Sequence, residues 1–380
     1  AVLSIVNCIL QNLDIGHITC ASLIDLSKAF DCVDHGLLLQ KLYFYGVRGI
    51  SHDLLRSYLS DRFQSVYEKE NMSDRKQINI GVPQGSILGP LLFLIFINDL
   101  PKNSGANKTV LFADDTTLLN HSSNVNELIS LEKDSLDQLK KWLSSNRLLM
   151  NKDKTQSIAF SLNSEVNWAY NVKCLGFTLD RKLTWQCHVE ILAKKLNIRI
   201  FQLRKLVTYC SFSAAKTFYH SNVHSLICYG LILWGSSTHA TRIFALQKRA
   251  IRILCKTHDQ RTHCRPLFKK LKILSLPSLY ILQILLHAHE NQATFVRNAD
   301  VHNYNTRSQQ NFVIPLHRLS KTQQSVTYMS IKLFNILPLK LRQLNRNKFK
   351  NIMRTFLESN CFYNCDEYMS TPMSVDMFNM

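Results

Sequence analysis

The period of the apolar positions changes along the chain. Residues 18–25 form a short apolar run ending in a carboxylate, which predicts a buried strand. Residues 36–45 and 52–59 predict short helices, the first stopped at Gly46. Residues 78–82 predict a strand entering a turn at 83–85, and residues 87–100 an apolar helix ended by Pro101. Apolar runs on either side of Asp114 and Asp115 predict a hairpin over 109–119. Residues 124–143 carry the clearest amphipathic pattern, with Asn124 and Glu127 suited to capping its start. Residues 155–160 and 172–179 predict two further strands. Beyond Thr184 the period is helical throughout. Leu192, Leu196, Ile200, Leu203 and Leu206 make one stripe, and Ile243, Leu246, Ala250 and Ile253 a second, each beside Lys and Arg. Strands mixed with helices, then helices alone, predict an α+β region followed by an all-α region.

Charge follows the same division. The 380 residues carry a formal net charge of +19. Residues 1–180 hold 17 Lys+Arg and 19 Asp+Glu, whereas residues 181–380 hold 29 and 8. A nearly neutral half with most of the carboxylates is thus joined to a strongly basic half suited to a polyanion. Only 11 glycines and 8 prolines argue against a sandwich or barrel of many hairpins. No apolar run reaches the ~20 residues of a spanning helix, so no membrane segment is expected. The eleven cysteines are scattered and no secretory leader is visible, which predicts reduced thiols in an intracellular protein of nucleus and cytoplasm. The chain opens in mid-pattern at Ala1, so its start is expected to lie upstream.

Three acids stand where short apolar strands end: Asp25, Asp114 and Asp115. Unpaired acids in such runs are costly to bury. Two carboxylates ~4 Å apart repel by ~4 kcal/mol at an effective dielectric of about 20, so one stays protonated or a cation sits between them. Hard oxygen ligands favour Mg²⁺ or Mn²⁺ over zinc. Three solvated turn aspartates would account for the spacing equally well.

The flanking residues are more specific. Leu23-Ile-Asp-Leu-Ser-Lys-Ala-Phe-Asp-Cys-Val-Asp-His35 resembles the first catalytic motif of reverse transcriptases from non-LTR (LINE-type) retrotransposons. Gly81-Val-Pro-Gln-Gly-Ser-Ile-Leu-Gly-Pro90 and the apolar stretch after it resemble the second, and Phe112-Ala-Asp-Asp-Thr116 the Asp-Asp box. Asn151-Lys-Asp-Lys-Thr155 and Cys174-Leu-Gly-Phe-Thr178 are similar to the next two palm motifs. Five motifs stand in the family's order, and the continuation resembles the jockey-type branch.

The resemblance implies a right-hand polymerase palm, an antiparallel sheet with helices, followed by an all-α thumb and a basic helical C-terminal region. It places a fingers remnant and palm in residues 1–182, the thumb in 183–240 and the basic region in 241–380. It implies an RNA-directed DNA polymerase that joins dNTPs to a DNA 3′-hydroxyl on an RNA template. Asp25, Asp114 and Asp115 would hold two Mg²⁺ ions, with the Leu26 carbonyl as a further oxygen near the substrate. Phe30 would stand under the sugar and exclude a ribose 2′-OH; a core phenylalanine at a helix start is the plainer alternative. Gln84 would touch the incoming nucleotide or template, on a turn shaped by Pro83 and Gly85. Lys154 would protonate the leaving pyrophosphate, or be only an exposed lysine beside a strand. Asp31 and Asp34 would cap the helix that follows.

Against the family pattern, most of the fingers and any upstream endonuclease lie outside this sequence, and residues 181–380 show no acid grouping of a ribonuclease H. A remnant that binds nucleic acid without catalysis is therefore the rival expectation. Cys255, His258, His263 and Cys264 invite a zinc reading, but their spacing matches no common knuckle, and Cys361 with Cys365 lacks a histidine nearby. His287 and His289 lie on an apolar helix and are expected to pack.

Overall fold

The computed structural model describes residues 1–162, 168–257, 262–301 and 308–373. The chain divides into two compact units, Ala1–Phe177 and Thr178–Met380.

The first unit is built on a four-stranded antiparallel sheet. Its strands are β1 (Ile18–Leu26), β2 (Lys108–Phe112), β3 (Asp115–Ser122) and β4 (Met150–Phe160), in the order β2-β3-β1-β4. The central strand β1 is covered on both faces, which is why it reads as a continuous apolar run rather than an alternating one. Helix α1 (Val2–Asp14) lies on one face, where Asn12 Nδ2 donates to Thr19 Oγ1 at 3.1 Å. The other face carries α2 (His35–Phe44), α4 (Leu88–Ile97) and α5 (Val125–Ser145), with α3 (Ile50–Leu59) packed on α2. Ile24, Leu26, Phe93, Phe96, Leu118 and Leu139 form the core between them.

One half-buried cation joins these helices. Lys41 Nζ donates to Phe96 O and to Asp99 Oδ1, both at 2.6 Å, and Trp142 Nε1 donates to Asp99 Oδ2 at 3.2 Å. Burial pulls the Lys41 pKa down while Asp99 opposes the shift. Inside the sheet, Ser22 and Ser157 both donate to Glu132 Oε1, at 3.1 and 2.7 Å, which ties β1 and β4 to α5.

Several expected boundaries move. The expected strand over 78–82 ends at Ile78, because Lys76–Ile78 pairs with Arg62–Gln64 in a separate hairpin rather than entering the main sheet. Pro101 does not end the apolar helix. That helix stops at Ile97, and Pro101 sits in the first turn of a second short one, Leu100–Asn103, where its missing N–H costs nothing. Asn124 does cap α5, accepting from Asn126 N at 2.8 Å, but Glu127 accepts from Ser122 Oγ instead of closing a capping box. The run 172–179 is broken by left-handed Leu175 and Gly176 into β5 (Asn171–Cys174) and β6 (Phe177–Asp180).

The second unit is helical. The buried carboxylate of Asp180 accepts from the backbone N–H groups of Lys182, Thr184 and Trp185, and so organises the entry to α6 (Gln186–Tyr209). The α6 stripe is buried as expected at Leu192, Leu196, Ile200 and Leu203. On α7 (Ala240–Leu254) the buried face is turned from the expected stripe to Ile243, Phe244, Gln247, Ala250, Ile251 and Leu254. Gln247 is drawn in by hydrogen bonds to Tyr219 Oη and the Leu274 carbonyl. Helices α8 (Leu276–Glu290), α9 (Val326–Phe334) and α10 (Arg346–Asn360) complete the core. His289 stacks on Phe349, and His287 bonds Asn291, so both histidines pack. Among the described residues no single helix is long and apolar enough to cross a membrane. Arg265–Leu271 and α8 pass that test only as a pair bent by 58°, and α8 is a buried core helix.

Candidate active site

The three acids meet at one end of the sheet. In β1 and β3, Ile24 is paired with Thr116, and one step further the same register sets Asp25 opposite Asp115. Directly opposed residues on antiparallel strands have Cβ atoms only ~5 Å apart. Asp114 stands in the two-residue turn closed by the Phe112–Asp115 pair. Its neighbour Ala113 has φ +52°, a left-handed conformation that costs a non-glycine residue about 1 kcal/mol or more. The tight turn is thus bent at the cost of local strain and presents two consecutive carboxylates beside a third. Burial first, then the charges of Asp114 and Asp25, push the Asp115 carboxyl above the ordinary carboxylate range.

Strand β4 brings a cation to the same place by breaking its own ladder. Leu23 pairs with Gln156, but Asp25 pairs with Asn151, so β4 carries three more residues than regular pairing allows. Such bulges bend a strand and re-aim its side chains. Asn151 closes this one: its Oδ1 accepts from Lys154 N at 3.3 Å, and its carbonyl accepts from Thr155 Oγ1 at 2.7 Å. Lys154 Nζ consequently lies 3.6 Å from Asp25 Oδ2, with the lysine side chain 68% exposed. The cleft around these groups has a volume of about 500 Å³, and its walls include Asp153 and Lys173. Nothing local in the sequence marks either of them out. Only their places, in the bulge and in β5, link them to the site.

The second motif is clasped to the first. Val82 N donates to Phe30 O at 2.9 Å, and Gly81 N donates to Val33 O at 2.7 Å. Gly81 has φ +87°, and a Cβ there would lie 2.9 Å from the Asp31 carbonyl oxygen, so only glycine permits this approach. Gln84 Nε2 donates to Asp31 Oδ1 at 2.7 Å. Asp31 is therefore a partner of Gln84 rather than a cap, while Asp34 does cap α2 through Leu37 N and also pairs with Arg147. Gly85 takes φ +82° in the turn before α4. Phe30 is half-buried, its ring 4.4 Å from that of Phe93. Leu26 is buried in β1 beside Asp25 and pairs with Met150. The structure thus gathers Asp25, Asp115 and Lys154 around one cleft, with Asp114 in the turn beside Asp115, whereas Phe30, Gln84 and Gly85 belong to the clasp and do not line that cleft.

Asp25 and Asp115 line the cleft, with Asp114 in the turn beside them, and carboxylate oxygens are the donors that hard divalent cations take. Among the described residues, no group of three or more His, Cys, Asp or Glu stands close enough together to hold a metal ion as it is. The zinc expectation rests partly on His258, which lies outside the described residues. Cys264 Sγ is buried and faces the carbonyls of Lys248 and Thr262. All eleven cysteines are free thiols.

An antiparallel sheet with helices packed on it, carrying Asp25 opposite a strained Asp-Asp turn and a lysine on a bulge, is the arrangement of a polymerase palm. Residues 5–179 match the family model for "Reverse transcriptase (RNA-dependent DNA polymerase)", and this segment belongs to that family. The relatives agree with the jockey-type resemblance. The chain is 32% identical over 277 residues to the probable RNA-directed DNA polymerase from transposon BS of Drosophila melanogaster, covering 65% of this chain and 30% of that protein. It is 27% identical over 274 residues to the RNA-directed DNA polymerase from mobile element jockey of the same organism, with the same two coverages. The chain thus spans about 30% of the length of these curated relatives. Among solved structures, apo telomerase from Candida tropicalis aligns over 71% of this chain and 48% of its own, at 14% identity and a TM-score of 0.39.

Proposed function

We propose that this chain is the polymerase part of a non-LTR retrotransposon protein, adding dNTPs to a DNA 3′-hydroxyl on an RNA template. The observation that carries the reading is the juxtaposition of Asp25, Asp115 and Lys154 on neighbouring strands, with Asp114 in the strained turn. Asp25, Asp114 and Asp115 would hold two divalent ions, Mg²⁺ in the cell and Mn²⁺ as a substitute. Bound there, such ions lower the pKa of an attacking hydroxyl and offset charge on a leaving pyrophosphate.

The chain's own residues do the rest. Burial first, then the charges of Asp114 and Asp25, raise the Asp115 pKa, and a cation taken up there would relieve the repulsion among the three. Lys154 Nζ, free to move at the cleft mouth, donates a proton to the pyrophosphate oxygen as it leaves. Phe30, braced by Phe93, walls the sugar side against a 2′-hydroxyl, and Gln84, next to Gly85 in the clasp, contacts the nucleotide or template once released from Asp31, while the Leu26 carbonyl would add an oxygen beside Asp25. The helical segment 183–240 would serve as thumb, with 241–380 as an added basic region. Template RNA, DNA primer and dNTPs are the proposed partners, and nucleus and cytoplasm the proposed location.

The test is primer extension on an RNA template with Mg²⁺ and dNTPs, alongside Asp114→Asn. Extension that vanishes in the variant supports the reading. Tight hybrid binding with no extension by the parent chain would overturn it in favour of a non-catalytic nucleic-acid binder.

A further inference from the structure

The clasp between the first two motifs is held mostly by backbone. The short turn Ala29–Cys32, which carries Asp31, is closed by Asp31 N donating to Lys28 O at 2.9 Å. The turn carrying Gln84 is closed from within, where Ser86 Oγ donates to Pro83 O at 2.8 Å and accepts from Gly89 N at 2.9 Å. Besides the bonds from Gly81 and Val82, Asp34 and Ile80 form a backbone bridge, and the His35 ring bonds the Gly81 carbonyl at 2.7 Å. None of these contacts involves the Gln84 side chain, which can therefore swing without unmaking the clasp.

One bond holds that side chain. Gln84 Nε2 donates to Asp31 Oδ1 at 2.7 Å. A carboxylate only accepts, so the amide turns its NH2 group to Asp31 and shows Oε1 outward. Asp31 makes no ion pair among the described residues, unlike Asp25 and Asp34, which face Lys154 and Arg147. Its bond to Gln84 is charge-assisted, the stronger kind of hydrogen bond. Yet both residues are exposed, so the bond is exchanged against water at small net cost and a ligand can displace it.

We propose that Asp31 is a positioning residue: it holds the Gln84 amide until a nucleotide draws it away, and so sets how tightly each dNTP is bound. The inference rests on the polymerase reading, in which Gln84 meets the nucleotide or template. While Asp31 holds the amide, Gln84 is not competent to bind, and apparent affinity falls with the competent fraction. A chain that repeats one addition many times gains from such a competitor. The contact made to one nucleotide must be dropped before the next arrives, and Asp31 takes the amide back.

Primer extension on an RNA template compares the full chain with Asp31→Ala, Asp31→Asn, Gln84→Ala and the double variant Asp31→Ala/Gln84→Ala. Asp31→Ala should lower KM for dNTP by about three- to tenfold without raising kcat, as the competing bond is lost. Asp31→Asn keeps an accepting carbonyl without the charge and should fall between the parent and Asp31→Ala. In the Gln84→Ala background, Asp31→Ala should leave KM where it was. A rise in KM on removing Asp31 would overturn the proposal in favour of a brace that only stiffens the clasp. An equal drop in KM with and without Gln84 would also overturn it, because charge near the triphosphate would then account for the whole effect.

Urea unfolding of the parent, the two alanine variants and their double, without nucleotide or metal, tests the contact by itself. The two substitutions together should change the unfolding constant about three- to tenfold less than the product of their separate effects. Strictly additive effects would overturn the contact and the proposal with it. A parent chain that extends no primer would overturn the polymerase reading and the role of Asp31 in turnover, whereas the unfolding cycle reports on the contact in either case.

Discussion

The ammonium of Lys154 lies 3.6 Å from Asp25 Oδ2, across a bulge that puts four residues of β4 opposite Ile24. The contact joins the two roles proposed for the site, since the same lysine balances a carboxylate at rest and would serve the leaving group in turnover. Lys154→Ala should slow primer extension by about 10²-fold or more, in line with the loss of a general acid. Lys154→Arg should keep the ion pair yet recover little rate, because guanidinium does not give up a proton at neutral pH. Single-turnover extension by the two variants, with full recovery by arginine, would show that charge alone is at work.

Asp25→Asn and Asp114→Asn each remove one proposed ion ligand while keeping side-chain volume. Each should lower extension by about 10³-fold or more, which corresponds to ~4 kcal/mol in the barrier. Hybrid affinity and the circular dichroism spectrum should stay near those of the parent chain.

Asp115 links the site to stability. Its carboxyl holds its proton more tightly folded than unfolded, because burial, Asp114 and Asp25 all raise its pKa. The native state is therefore favoured at pH below the ordinary carboxylate value and loses that advantage as pH rises through the raised one. At neutral pH, in chelator, Asp115→Asn should raise the melting temperature. Added Mg²⁺ should stabilise the parent more than the variant, as expected for a ligand that binds only the native state. Thermal melts with and without Mg²⁺ read both effects.

Gly81 has no substitute at its position. Gly81→Ala meets the Asp31 carbonyl at 2.9 Å with φ +87°, so it should cost about 1–3 kcal/mol and part the second motif from the first. Denaturant unfolding gives the loss of stability, and extension should fall with it.

Asp34→Ala removes the cap on Leu37 N and the partner of Arg147. About 1–2 kcal/mol should be lost, while Arg147→Ala alone should cost less, since that side chain is 70% exposed.

Much of this was legible in the chain. Strand β1, the hairpin of β2 and β3, and the amphipathic α5 all carry periods that packing leaves intact. The acids were legible because Asp25, Asp114 and Asp115 interrupt apolar runs that would not otherwise tolerate charge. The bulge in β4 was not, because nothing between Asn151 and Gln156 distinguishes three surplus residues from a regular strand; only pairing with β1 counts them. Nor was the separate Lys76–Ile78 hairpin, since a short apolar stretch gives no sign of which strand it will join. Phe30 illustrates the same gap: its position named a role, but its stacking on Phe93 is a tertiary fact. The turned face of α7 has a similar cause. Gln247 counts as polar in any periodicity, yet hydrogen bonds to Tyr219 and Leu274 bury it.

The surplus in β4 has a further consequence. Pairing between β1 and β4 is regular on both sides of the interruption, so the sheet does not depend on how many residues fill it. Deleting three residues from 152–155 should let the two strands zip without a break and raise the stability of the shortened chain. It would also withdraw the lysine from the cleft. The length of this one segment therefore sets a choice between an unbroken ladder and a lysine held in the cleft, and the natural chain leaves the ladder unfinished.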